Sequence, residues 1–135
     1  AAEQPARVGL VSLYPGIDAS LIDAMVSAGF QAAVLETFGA GNGPDADVDF
    51  LAALKRATDG GMIVVATSHC IHGQVDFSRY ATGRALADAG LIGGLDMTRE
   101  AAFAKLQVLL DCGMERNRVI ELIGQNLAGE LTPAP

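Results

Sequence analysis

Residues 33–44, AVLETFGAGNGP, decide the fold. The apolar run Ala33-Val34-Leu35 leads into Glu36-Thr37-Phe38, then into Gly39-Ala40-Gly41-Asn42 and Gly43-Pro44, with acidic Asp45 and Asp47 beyond. This is the pattern of a strand, a glycine-rich loop and a helix start. In an open parallel sheet such a loop lies at the carboxyl end of a strand, where ligands bind. Glycines permit close backbone approach, and free N–H groups at a helix start favour a carboxylate or phosphate. The same residues also suit a plain tight βα turn. The stretch is not a dinucleotide fingerprint: Pro44 stands where the third glycine of G-x-G-x-x-G would fall, and no Gly-Lys-Ser/Thr follows.

Outward from that loop, the hydrophobic pattern alternates between the two periods. Residues 8–13 (VGLVSL), 31–37 and 62–67 (MIVVAT) predict buried strands, and Leu91-Ile92 a brief fourth one cut short by Gly93-Gly94. Leu21, Ile22, Met25 and Val26 share one helical face after Asp18, with Gly29 just past the end. Phe50, Leu51, Leu54 and Ala57 mark a second amphipathic helix closed by Gly60-Gly61, and residues 82–89 a short third one followed by Gly90. Asp96 or Thr98 can cap a fourth, striped by Phe103, Leu106, Leu109 and Leu110 and ended by Cys112-Gly113. Val119, Ile120, Ile123 and Leu127 stripe the last. The order is βαβαβ, then αβαα. It predicts an α/β fold, a small open parallel sheet of about four strands with helices on both faces, joined by right-handed crossovers.

Composition bounds the function. The 135 residues are half hydrophobic and fit one domain. A net charge of −7 argues against nucleic acid or an anionic membrane as a partner. No apolar run approaches the roughly 20 residues of a membrane helix. Two cysteines, Cys70 and Cys112, make no disulfide framework and suit a reducing, cytoplasmic setting.

Several residues invite chemistry. His69-Cys70-Ile71-His72 offers a thiol and two imidazoles, but structural zinc needs four converging ligands, so no metal is expected. Cys70 with a histidine base is a possible nucleophile, and a structural or binding cysteine is the simpler reading. Glu36 ends an apolar strand, so its carboxylate must find a partner or water. Asp96 is an acid/base candidate or a helix cap. Asp45, Asp47 and Asp49 lack the glycine and closing glutamate of a calcium loop and complement a helix N-terminus instead. Tyr80, one of two tyrosines, can donate to a reacting group or simply pack. No serine sits in a nucleophile elbow.

Read together, LETFGAGNGP (35–44), Ser68-His69-Cys70 with Gly73, Tyr80-Ala81-Thr82-Gly83, Gly94-Leu95-Asp96-Met97-Thr98-x-Glu100-Ala101-Ala102 and Gly129-Glu130-Leu131-Thr132-Pro133 resemble the C-terminal domain of the type I, cytoplasmic-type L-asparaginases. Tyr14-Pro15-Gly16-Ile17 fits the start of that domain. The resemblance runs through nearly the whole chain. It implies an asparaginase C-terminal domain over residues 7–133, with 1–6 a linker or cut end and 134–135 a tail.

What the resemblance implies is part of an enzyme that hydrolyses L-asparagine to L-aspartate and ammonia. The chemistry of that family lies in a larger N-terminal domain, with a threonine nucleophile in a Thr-Gly-Gly-Thr context, a Thr-Asp pair and a lysine. This sequence has no Thr-Gly-Gly; its Thr58-Asp59 pair closes a helix, and Lys55 and Lys105 fall within helices. The chain is therefore not expected to be catalytic alone. By the same resemblance it pairs with an asparaginase N-terminal catalytic domain, forms a homo-oligomer, and completes the neighbouring subunit's site for L-asparagine or L-aspartate, without a cofactor. Tyr80 matches a tyrosine supplied in trans beside the nucleophile. Asn42, with Gly41 and Gly43, matches the loop facing the partner's substrate. Some bacterial members bind asparagine as an effector, with an arginine at the position of Glu36 and a cysteine at that of Cys70. Here Ser68 and Cys70 accompany a carboxylate of reversed charge, and the LETFGAGNGP form is more similar to mammalian-type, non-allosteric relatives. The alternative is a stand-alone small-amino-acid-binding or oligomerisation module, and exposed apolar surface is expected where another domain docks.

Overall fold

The valine- and isoleucine-rich runs form strands and the amphipathic stretches form the helices between them. In chain order these are β1 (Val8–Ser12), α1 (Ser20–Ser27), β2 (Ala32–Thr37), α2 (Val48–Asp59), β3 (Ile63–Ser68), α3 (Ala81–Asp88), β4 (Ile92–Gly93), α4 (Arg99–Asp111) and α5 (Arg116–Ile123). The structure, a computed structural model, describes residues 5–14, 16–37, 48–68, 81–94 and 97–124, with the backbone alone at 68 and 81–84. The strands make one parallel sheet in the order β1-β2-β3-β4. The α/β fold expected from the periodicity is therefore the fold observed.

The period of two along each strand divides the core between the sheet's faces. Val11, Leu13, Leu35, Val64 and Ala66 face α1, α2 and α3 and pack with Ile22, Phe50, Leu54 and Leu86. Val8, Ala32, Val34, Ile63 and Val65 face α4 and α5 and pack with Ala102, Leu106, Leu109, Val119 and Ile123. Phe50 is entirely buried, and burying a ring of that size is worth about 2–3 kcal/mol. β2 is buried along its whole length, as the central position of a parallel sheet requires.

Thr98 caps α4: its hydroxyl accepts from the Ala101 amide at 3.1 Å. A cap of this kind contributes about 1 kcal/mol. At the other end of α4, Asp111 accepts from the Ala6 amide at 2.7 Å, and Gln107 donates to the Ala6 carbonyl at 2.8 Å. These bonds tie the segment entering β1 to the helix that covers it.

Three details depart from the sequence reading. On α1 only Ile22 is buried and Met25 is partly so, while Leu21 and Val26 are exposed. The helix touches the sheet along a narrower stripe than its apolar residues span. Thr58, a polar residue outside the apolar stripe read for α2, is buried; its hydroxyl donates to the Ala89 carbonyl at 2.6 Å and joins α2 to the end of α3. Lys105 is buried inside the α4 stripe, where its ammonium donates to the Ile123 carbonyl at 3.2 Å and caps the end of α5. A long aliphatic stem lets a lysine occupy an apolar stripe while its head finds an acceptor.

Candidate functional site at the carboxyl edge of the sheet

The carboxyl ends of the strands gather polar residues in one row. The register places Ser12 beside Glu36 and Glu36 beside Thr67. In parallel strands register partners share a face, so all three lie on the α4 side, in phase with Val8, Val34 and Val65. Glu36 is 6% exposed. An unpartnered carboxylate at that depth would be costly, and the fold supplies partners. The Ser12 hydroxyl donates to Glu36 Oε1 at 3.1 Å, and Arg99 Nη1 donates to the same oxygen at 3.1 Å. The Glu36 carbonyl accepts from the Leu13 amide at 2.8 Å, fastening β2 to the residue just past β1.

Arg99 is the first residue of α4. A cation there opposes the positive end of the helix dipole. Two carboxylates compensate: Glu36, and Glu100, whose Oε1 accepts from Arg99 Nε at 2.9 Å. The hydrogen bond to Glu100, followed by the field of Glu36, raises the Arg99 pKa above its ordinary value. The same Arg99 hydrogen bond lowers the pKa of Glu100.

On the opposite face Thr37 Oγ1 donates to the Thr67 carbonyl at 3.0 Å. The Thr67 hydroxyl itself is buried and has no hydrogen-bond partner among the described residues. Gly94 packs tightly beside it: its amide donates to the Ala66 carbonyl at 2.8 Å, and a Cβ there would meet that oxygen at 3.0 Å and Thr67 Cγ2 at 3.1 Å. A side chain at 94 would require these neighbours to give way by a few tenths of an ångström.

Of the residues singled out from the sequence, the structure thus brings Glu36 to this edge, with Ser68 at the end of β3. Gly41, Asn42 and Gly43, the acids Asp45 and Asp47, His69, Cys70, His72, Tyr80, Asp96, Leu127 and residues 129–133 lie outside the described residues. The segments bearing the first groups leave this same edge by chain continuity, one directly after Thr37 and the other directly after Ser68. Asp49 lies in the first turn of α2, as its helix-start reading expects. Sequence reasoning missed Ser12, Thr67 and Arg99. The one available signal was Arg99 itself, a cation placed against the helix dipole directly after a capping threonine.

A parallel sheet with polar strand ends, and with two long segments leaving its carboxyl edge, is the architecture of a ligand-facing α/β domain. Residues 7–123 match the family described as the Glutaminase/Asparaginase C-terminal domain. The chain is 42% identical over 129 residues to L-asparaginase 1 of Escherichia coli (strain K12), a match that covers 96% of this chain and 38% of that protein. It is 46% identical over 127 residues to the 60 kDa lysophospholipase of Homo sapiens, covering 93% of this chain and 22% of that one. The solved structure of L-asparaginase I from Vibrio cholerae superposes with a TM-score of 0.85 at 44% identity, over 95% of this chain and 38% of that one. The chain belongs to the glutaminase/asparaginase C-terminal domain family. It spans well under half the length of these relatives.

Proposed function

We propose that this chain is the smaller domain of an L-asparaginase, spanning residues 7–133, and that it acts by completing a neighbouring subunit's active site. The family match over residues 7–123 carries the reading. The sequence supports the division of labour, because it contains no Thr-Gly-Gly and hence no activated threonine nucleophile of the expected kind. The substrate in this reading is L-asparagine, hydrolysed to L-aspartate and ammonia by an N-terminal catalytic domain. Tyr80 enters the partner's site beside the nucleophile, where a phenol can relay or polarise the nucleophile's proton. Asn42, flanked by Gly41 and Gly43, offers its amide to the substrate's charged groups. Glu36 and Ser68 stand at the strand ends from which these segments depart, and in this reading they belong with Cys70 to an effector or loop site. The setting is cytoplasmic and the assembly a homo-oligomer built through this domain.

The test is ammonia release from L-asparagine by the full-length protein and by this chain alone. Turnover by the first and none by the second is expected. Turnover by the isolated chain, or none by the full-length protein, contradicts the reading.

A second reading, a stand-alone binding or oligomerisation module, draws on exposed Tyr14, Leu21 and Val26 around α1, which leave apolar surface for a partner. Tight asparagine or aspartate binding by the isolated chain, measured by calorimetry, would favour it.

A further inference from the structure

We propose that Ser12, Glu36 and Arg99 form a positioning latch that fixes the platform from which the segments after β2 and β3 depart. The inference rests on the reading that those segments complete an active site. Its physical basis is separate. The three side chains come from β1, β2 and the first turn of α4, and they meet at one oxygen, Glu36 Oε1. One residue further on, Thr37 clamps β2 to β3 through the Thr67 carbonyl. The strand ends are thus tied together from both faces of the sheet at the last described residues before 38 and 69.

Stability alone does not account for the arrangement. The Arg99 side chain is 44% exposed against 8% for Glu36, and an ion pair with one partner so open to solvent contributes little to stability. Arginine is also a poor choice at the first position of a helix. What the cluster does supply is direction. A serine hydroxyl and a guanidinium converging on one oxygen allow a single orientation of the β2 end relative to α4, whereas apolar contact is indifferent to direction. Catalytic groups carried on the following segments need that definition, because displacement by about 1 Å can cost about a hundredfold in rate.

The test uses the full-length protein and the variants Arg99→Met, Arg99→Lys and the apolar pair Glu36→Leu/Arg99→Leu. The latch predicts that the apolar pair keeps its thermal midpoint but loses about tenfold in kcat/KM on asparagine, chiefly through kcat, as imprecise placement of transition-state groups requires. Arg99→Lys should recover part of that loss and Arg99→Met none. An apolar pair with unchanged kcat and KM overturns the inference, as does a loss of activity that only tracks a loss of folded protein. Amide exchange decides the latch independently of any activity. In Arg99→Met the Leu13 and Gly94 amides, which donate to Glu36 and Ala66, should exchange about tenfold faster. The Gly61 and Met62 amides, held at the end of α2, should not change. Equal exchange at Leu13 and Gly94 overturns the latch even if the enzyme is active. Absent asparagine turnover by the unaltered protein would sink the enzyme reading, with the exchange result still deciding the latch.

Discussion

Thr37 and Thr67 stand on adjacent strands, both entirely buried, and valine in place of each should move stability in opposite directions. Valine keeps the β-branched shape of threonine and exchanges a hydroxyl for a methyl. At position 37 the exchange removes the donor that reaches the Thr67 carbonyl at 3.0 Å. The lost bond costs about 1–1.5 kcal/mol, since the Thr67 carbonyl stays in the parallel ladder between β2 and β3, and the added methyl returns about 0.8 kcal/mol, leaving a net loss of about 0.5 kcal/mol. At position 67 the exchange removes a hydroxyl that has no partner among the described residues. Relieving an unsatisfied buried polar group gains about 1–2 kcal/mol. The variants should therefore differ by about 2 kcal/mol. With a slope of about 1–3 kcal/mol per molar urea, their midpoints should lie about 0.7–2 M apart on either side of the parent. Urea unfolding of the purified chain, followed by circular dichroism with slopes compared, measures this. Thr37→Val and Thr67→Val midpoints displaced in the same direction would refute the hydrogen-bond assignment at the strand ends.

Other expectations follow from single contacts. Gly90 has φ +91°, and an added Cβ would lie 2.5 Å from Thr58 Oγ1, so Gly90→Ala should cost about 2–4 kcal/mol through the left-handed backbone and the broken Thr58–Ala89 bond. Gly113 has φ +78° with nothing within 4 Å, so Gly113→Ala should cost only the backbone strain, about 1–2 kcal/mol; equal losses in thermal unfolding would deny the Thr58 contact its role. Backbone and side-chain hydrogen bonds, from Ala6 and then Gln107, lower the Asp111 pKa. Because the folded-state value is depressed, Asp111 stabilises the fold above its unfolded pKa of about 4 and loses that contribution as pH falls through the folded value. Asp111→Asn should be less stable than the parent at pH 7 and show a shallower loss between pH 4 and pH 2; parallel stability–pH curves would contradict this. In the full-length protein Tyr80→Phe should lower kcat more than it raises KM if the phenol acts in the transition state, and unchanged turnover would remove it from the mechanism.

Much of this fold can be read from local pattern. The strands are short, largely apolar runs, and glycines placed past the helix ends, at 29, 61, 90 and 113, all take positive φ. Local pattern fails where a residue answers to something far along the chain. Leu21 and Val26 look like core on a helical wheel, yet α1 buries only the stripe that reaches the sheet. Lys105 looks like surface, yet an acceptor eighteen residues away holds it inside. Glu36 illustrates both sides. That a carboxylate ending an apolar strand needs a partner follows from its position alone. That the partner is Arg99, 63 residues further on, depends on where α4 crosses the sheet, and no local periodicity encodes it. The roles given to residues 41–43, 70 and 80 rest on resemblance, since a glycine, an asparagine, a lone cysteine or a tyrosine suits a bland reading as well as a chemical one.

The central claim is that this domain lends residues to a neighbouring subunit, and subunit complementation tests it most directly. Full-length protein carrying Tyr80→Phe is co-expressed with full-length protein whose N-terminal nucleophilic threonine is alanine, each nearly inactive alone. If Tyr80 acts across a two-fold interface, random pairing creates one intact site in each mixed dimer and restores about one quarter of the parent activity. Activity no greater than the sum of the two variants would mean that Tyr80 serves its own subunit or none.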